Sequence, residues 1–263
     1  MENRTFYSPV FGPVHSRRLG SSLGINLMPA TRKVCNFDCV YCECGWNPQP
    51  IPGQPPLNAL VPSAEEVAVA LEEKLKNLAR ENNLPHVITF SGNGEPTLHR
   101  DFLKIMRDTV AIRNVHSPGS QVCVLSNSAT IQIPGVFEGL LLADQRIMKI
   151  DSAIEETLQK INRPGKGYSL ERAVEALKRF KGNFTLQTLF FSGMVDGIQV
   201  DNTTERELEA WYGLLDELAP KEVMVYTLDR PTPLEGLQKC SFAKLETIAR
   251  EVEKKGIKTV VAA

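Results

Sequence analysis

Along the chain, short apolar runs without polar alternation take turns with stretches whose apolar residues recur every three or four positions. Runs of the first kind read as parallel strands buried on both faces. They are Ser22–Leu27, His86–Phe90, Gln121–Leu125, Arg146–Ile150, Phe184–Phe190, Glu222–Tyr226 and a short final Ile257–Val261. The helical stretches fall between them. Ser63 with Glu66 forms a capping box that opens a helix to Arg80, and Thr204 with Glu207 forms a second that opens one to Leu218. Asp101–Arg113, Pro134–Ala143, Ser152–Lys160, Ser169–Lys181 and Ser241–Lys255 complete the set, with Gly256 as the stop of the last. Strand–helix repetition of this kind predicts right-handed βαβ units. Six clear units are fewer than the eight of a closed barrel. An open partial barrel and a doubly wound sheet both satisfy the pattern, and both gather ligands at the C-terminal ends of their strands.

Polar residues concentrate at those ends. The first strand leads into Cys35-Asn-Phe-Asp-Cys39-Val-Tyr-Cys42, three thiols with C-x₃-C-x₂-C spacing. The second leads into Ser91-Gly-Asn-Gly-Glu-Pro-Thr-Leu-His99, where two glycines let backbone approach a ligand and Glu95 adds a carboxylate. Ser126 and Asn127 follow the third strand and Asp151 the fourth. Taken singly, each reads equally as a turn or cap residue, and Asp151-Ser152 suits the start of the next helix. Their shared face favours a site.

Three thiolates on one loop can hold three corners of an iron–sulfur cubane and leave one iron open. Cys44 raises a four-cysteine zinc site as an alternative, but tetrahedral zinc usually takes two separated ligand pairs. Here all four thiols fall within ten residues. Cys123, inside a strand, and Cys240, before a helix, read as packing residues, and His99 and His116 as loop or cap residues. The segment Asn47–Pro62, with six prolines, reads as a loop.

Composition narrows the class. A chain of 263 residues with 42% hydrophobic content suits a globular protein with a full core. The formal net charge of −1 gives no sign of a strongly basic nucleic-acid binder. The N-terminal MENRTFYSPV lacks a signal-peptide core, and no apolar run is long enough to span a bilayer. The expected location is the cytoplasm, where thiols stay reduced and serve as ligands rather than disulfides.

The cysteine motif, with Tyr41 before its last thiol, and Gly94-Glu95-Pro96 together resemble the radical S-adenosylmethionine (SAM) superfamily. Asn93 stands where that family usually has another glycine. Gly12-Pro-Val-His-Ser-Arg-Arg-Leu-Gly20, Ser22–Asn26, Lys160-Ile-Asn-Arg-Pro164 and Asp229-Arg-Pro-Thr-Pro233 are similar to phrases of its Fe–S oxidoreductase subgroup related to the wyosine tRNA-modification enzyme, 4-demethylwyosine synthase. The resemblance implies an open, partial (β/α)6 TIM-like barrel. It implies one core domain over residues 1–263, with the N-terminal segment 1–21 packing on the barrel. It further implies a 4Fe–4S cluster on Cys35, Cys39 and Cys42. SAM would be bound by Tyr41, Asn93, Gly94, Glu95, Ser126, Asn127 and Asp151, and a 5′-deoxyadenosyl radical would abstract hydrogen from a small-molecule or nucleotide substrate. Expected partners are an electron donor such as flavodoxin or ferredoxin, and a substrate for which a tRNA base is one variant. Arg17 and Arg230, with Arg18 and Arg163, are the candidate anion contacts to substrate. A glycyl-radical-enzyme activase shares the cysteine motif, and a non-catalytic Fe–S or zinc protein is the other alternative. The wyosine enzyme's second cluster has no counterpart, since no cysteine precedes Cys35. Its reaction is not carried across, and Lys149 reads as a solvated strand-end lysine.

Overall fold

A computed structural model describes residues 6–16, 18–49 and 60–262. Arg17 and most of the proline-rich loop lie outside the described residues. The chain divides into two compact units. One comprises Met1–Cys35, Asn47–Ser126 and Thr130–Arg146, the other Asn36–Trp46, Asn127–Ala129 and Ile147–Ala263. The fold is α/β, of the partial (β/α) barrel class that the strand–helix alternation allowed.

The first unit runs β1 (Val10–Ser16), β2 (Gly20–Ile25), α1 (Ala64–Arg80), β3 (Val87–Phe90), α2 (Phe102–His116), β4 (Gln121–Ser126) and α3 (Pro134–Leu141). Strands β2, β3 and β4 are parallel neighbours, and β1 pairs antiparallel with β2. Sequence reading missed β1. Gly24 makes its packing possible, because a Cβ there would lie 2.1 Å from the Phe11 ring. Helix α1 has the expected capping box, Ser63 and Glu66 each meeting the other's backbone N–H.

The second unit runs from β5 (Gln145–Lys149), whose first two residues belong to the first unit, through α4 (Glu155–Asn162), α5 (Leu170–Lys178), β6 (Thr185–Leu189), β7 (Phe191–Val195), β8 (Ile198–Asp201) and α6 (Glu205–Leu218) to β9 (Glu222–Tyr226), β10 (Gln238–Lys239), α7 (Phe242–Lys254) and β11 (Lys258–Ala262). Strands β5, β6, β9 and β11 are parallel in that order. A separate antiparallel sheet, β10-β7-β8, was not expected. The predicted strand Phe184–Phe190 stops at Leu189, and the chain goes on into this second sheet. Its hairpin turns on Asp196-Gly197, both at positive φ (50° and 78°), the two-residue geometry that Asp-Gly favours. That dipeptide was the available signal.

Helix α4 begins three residues later than predicted and ends two later. Ser152 does not cap it. Its hydroxyl donates to Glu207 at 2.6 Å and accepts from the Ile154 N–H at 2.9 Å. The same contact undoes half of the second expected capping box. Thr204 accepts from the Glu207 N–H, but the Glu207 carboxylate is taken by Ser152 and Thr157. Among the described residues no helix is long and apolar enough to cross a membrane.

Candidate active site

In the first unit, the residues leading to the cysteines are tied to the glycine loop after β3. The Val34 N–H donates to the Asn93 carbonyl at 2.9 Å, and the Glu95 N–H to the Val34 carbonyl at 3.1 Å. Gly94 sits in this parallel bridge with φ of 147°, and a Cβ there would lie 1.8 Å from the Val34 oxygen. Only glycine allows the two backbones to approach so closely. The Cys35 N–H then donates to Asn47 at 3.1 Å. The Asn93 side chain is fully buried and spent on structure. It donates to the carbonyls of Phe6 (3.0 Å) and Pro29 (2.9 Å) and accepts from the Phe6 N–H (2.9 Å). This explains an asparagine where the resembled family has glycine. The Asn93 backbone is spent as well, its N–H on the Asn26 side chain at 3.0 Å and its carbonyl on Val34. Glu95 is buried, its Oε1 accepting from the Thr97 backbone N–H and hydroxyl at the head of a short 3₁₀ turn, Pro96–Leu98. Ser126 is buried at the end of β4.

In the second unit, the cysteine loop is held by the end of α4. The N–H groups of Asp38 and Val40 donate to the carbonyls of Asn162 and Ile161, both at 3.0 Å, and the Gly165 N–H to the Asn36 carbonyl at 2.7 Å. Asn127 holds the same loop, its amide donating to the Asn36 side chain at 2.6 Å. The Leu234 N–H donates to the Val40 carbonyl at 3.2 Å. Beneath, Val40 and Tyr41 pack into a cluster with Ile161, Leu189, Phe191, Val195, Val200 and Leu228. The unexpected β7–β8 sheet therefore supplies the floor of the cysteine loop.

A buried polar network joins this loop to the sheet. Asp151, fully buried, accepts from the Leu189 N–H at 2.9 Å, from the Tyr41 hydroxyl, and from the Asn162 amide at 2.7 Å. Lys149 Nζ lies 3.0 Å from Asp151 Oδ1, donates to the Tyr226 hydroxyl at 2.5 Å, and sits 4.8 Å from the centroids of both the Tyr41 and Tyr226 rings. Burial alone would lower the Lys149 pKa. The Asp151 carboxylate and Tyr226 outweigh it and raise it, so the ammonium persists. Lys149 is thus not the solvated lysine expected: its side chain is 17% exposed because the strand pleat turns it toward Asp151. Burial, then Asp151, pushes the Tyr41 hydroxyl well above its ordinary pKa. Burial, then Cys42, holds the Cys39 thiol up to about 11, against the pull of the Asn162 amide. Asn202 was missed by sequence reading. Buried, it donates to the carbonyls of Asp151 (2.9 Å) and Leu189 (2.7 Å) and fixes the carboxylate's backbone. No local pattern marks it.

The other candidates sort simply. Arg230 pairs with Glu43 in the cysteine loop, with both side chains nearly half exposed. Arg163 grips Asp196 through two bonds and lies 5.0 Å from the Trp46 ring centroid. His99 caps, accepting from the Asp101 N–H at 3.1 Å, and His116 meets Glu72. Cys123 and Cys240 are buried packing residues, whereas Cys35, Cys39, Cys42 and Cys44 are half-buried residues. Among the described residues no three His, Cys, Asp or Glu side chains converge on one ion-sized point. The soft thiols of Cys35, Cys39 and Cys42 are the donor type that the separate irons of a cubane take.

The Radical SAM superfamily model matches residues 31–210. A UPF0026 protein of Synechocystis sp. is 34% identical, the alignment covering 88% of this chain and 79% of that protein. A protein of Brachyspira hyodysenteriae named GTPase Obg is 28% identical over 93% of this chain, which spans only 33% of its length. The structure of Streptococcus suis SuiB bound to S-adenosylmethionine superposes with a TM-score of 0.62 at 12% identity, over 91% of this chain and 50% of that one.

Gly94→Ala should cost about 3 kcal/mol, since strained backbone and a lost bridge act together; thermal melting against the parent protein reads it. Asp151→Asn should destabilise by roughly 3–5 kcal/mol by leaving the Lys149 ammonium buried without its counter-charge. Denaturant unfolding checks this, and an unchanged midpoint would remove Asp151 from the centre of the network.

Proposed function

The chain belongs to the radical SAM superfamily and, within it, to the UPF0026 proteins, and from that membership we propose that Cys35, Cys39 and Cys42 hold a 4Fe–4S cluster beside bound SAM. The cofactors of this family are a 4Fe–4S cluster and SAM, and its members are enzymes that need a reductant. When bound, the reduced cluster supplies the electron that splits the SAM sulfonium into methionine and a 5′-deoxyadenosyl radical, which takes a hydrogen atom from the substrate.

The observation that carries this reading is the bridge between Val34 and Gly94. It ties the start of the cysteine motif to the Gly-Glu-Pro loop, the coupling that a cluster and its SAM amino group require. In the first unit, the Gly94 backbone, the Glu95 carboxylate and Ser126 are assigned to SAM, with Asn93, already bonded through backbone and side chain, holding their loop in place. In the second, Tyr41, Asn127 and Asp151 are assigned to it. Glu95 already accepts from Thr97, which fixes the carboxylate before a ligand arrives. Tyr41 offers an apolar ring pinned by Asp151 and packed edge-on against Phe191 at 5.6 Å, suited to keeping water from the reaction. Both units together, residues 1–263, act as one core domain in this reading.

The substrate is a small molecule or a nucleotide, a tRNA base included, and Arg17 and Arg230 are its proposed anion contacts. Arg230 must first leave Glu43, which costs little because exposed ion pairs contribute about 1 kcal/mol or less. A flavodoxin or ferredoxin is the proposed donor, in the cytoplasm.

Anaerobic reconstitution followed by dithionite and SAM should yield 5′-deoxyadenosine from the parent protein and none from Cys39→Ala. A cluster-loaded parent that forms none would sink the radical reading, and a sample holding zinc but no iron would replace it with a structural one. Glu95→Gln should weaken SAM binding about tenfold, the loss of one charged hydrogen bond, at unchanged iron content. Equilibrium dialysis with labelled SAM measures it.

A further inference from the structure

Asn162 is the last residue of α4, and sequence reading gave it no role beyond a family phrase. Its side chain is buried, and its amide nitrogen lies 3.3 Å from Cys39 Sγ, 2.7 Å from the Tyr41 hydroxyl and 2.7 Å from Asp151 Oδ2. The Tyr41 hydroxyl spends its own hydrogen on Asp151, so toward Asn162 its oxygen is an acceptor. An amide has two hydrogens, and here they serve three acceptors. The main chain that carries it is fixed. The Asn162 carbonyl receives the Asp38 N–H at 3.0 Å, and Arg163 beyond it turns into the left-handed region (φ 44°), which ends the helix at this position.

An N–H directed at a cysteine sulfur stabilises the electron-rich form of a cluster bound through that sulfur. The effect is larger in a buried, low-dielectric setting. We propose that Asn162 is a positioning residue that raises the reduction potential of the cluster held through Cys39. Its strength is set by competition from Tyr41 and Asp151 for the same two hydrogens. The inference rests on the cluster assignment above and goes beyond it. It makes the end of α4 an electrostatic control on how readily the cluster accepts its electron, through a residue that touches neither SAM nor substrate in that assignment.

The sign distinguishes this role from a structural one. Parent, Asn162→Ala and Tyr41→Phe proteins are reconstituted anaerobically, and the cluster midpoint is read by redox titration with electron paramagnetic resonance. Iron content and melting temperature are measured on the same samples. Asn162→Ala is expected to keep its iron and shift to a lower midpoint. Tyr41→Phe is expected to move the midpoint, because it removes one acceptor for the amide and one donor to Asp151, and in the double variant with Asn162→Ala the part of that shift carried by the amide should vanish. An Asn162→Ala protein with full iron and the parent midpoint would overturn the proposal, whatever its melting temperature. If Asn162→Ala does not fold, Asn162→Leu, which keeps the volume and removes the N–H, decides: the parent midpoint overturns the proposal and a lower one supports it. A parent protein that assembles no cluster would remove the cluster reading itself, and this inference with it.

Discussion

A carboxylate buried as fully as Asp151 is tolerated only if the protein replaces its water shell. Much of the second unit's interior is arranged to do so. Lys149 supplies the counter-charge, Tyr41 and Asn162 supply hydrogen bonds, and the Leu189 N–H supplies a third donor from the next strand. Each partner has a second task. Tyr41 and Asn162 lie on the cysteine loop and on the helix end that grips it. The charge therefore couples the sheet to the thiols, and one buried ion fixes several groups at once. Removing one partner of such a pair is more costly than the pair is stabilising.

The cysteine loop would be floppy on its own. Ordering each residue costs about 1–2 kcal/mol of backbone entropy. Backbone hydrogen bonds offset that cost at both ends. In the first unit Val34 is zipped to Gly94, and in the second Asp38 and Val40 are zipped to the end of α4. The phrase Lys160–Pro164 is thereby given a physical meaning. It is a helix terminus whose free carbonyls, left without partners inside the helix, accept from the loop.

Much of this was legible in one dimension. Buried parallel strands are apolar on both faces, so Glu222–Tyr226 is read to its ends and most other strands to within a residue or two. Ser63 and Glu66 mark the start of α1 because a capping box is local chemistry. The thiol spacing and the Gly-Glu-Pro loop are also local, so they stand out without any knowledge of contacts. The failures share one cause. Ser152 and Glu207 were each assigned a cap on their own helix, yet 55 residues apart they bond to each other. Their alternative partners exist only after folding.

Lys149 gives the same lesson for charge. Its place at a strand end is readable, but whether it faces water or Asp151 depends on strand pleat and on which rings close over it. The sequence alone determined which groups are candidates for the chemistry, because residue type and spacing are properties of the chain itself. Tertiary structure decided which of them are free to act. Asn93 has its side chain spent on Phe6 and Pro29, and Arg230 has an acid beside it. Asn162 faces a sulfur because it ends α4 against the cysteine loop. Such assignments turn on a few tenths of an ångström between residues far apart in the chain, and no local pattern encodes that distance.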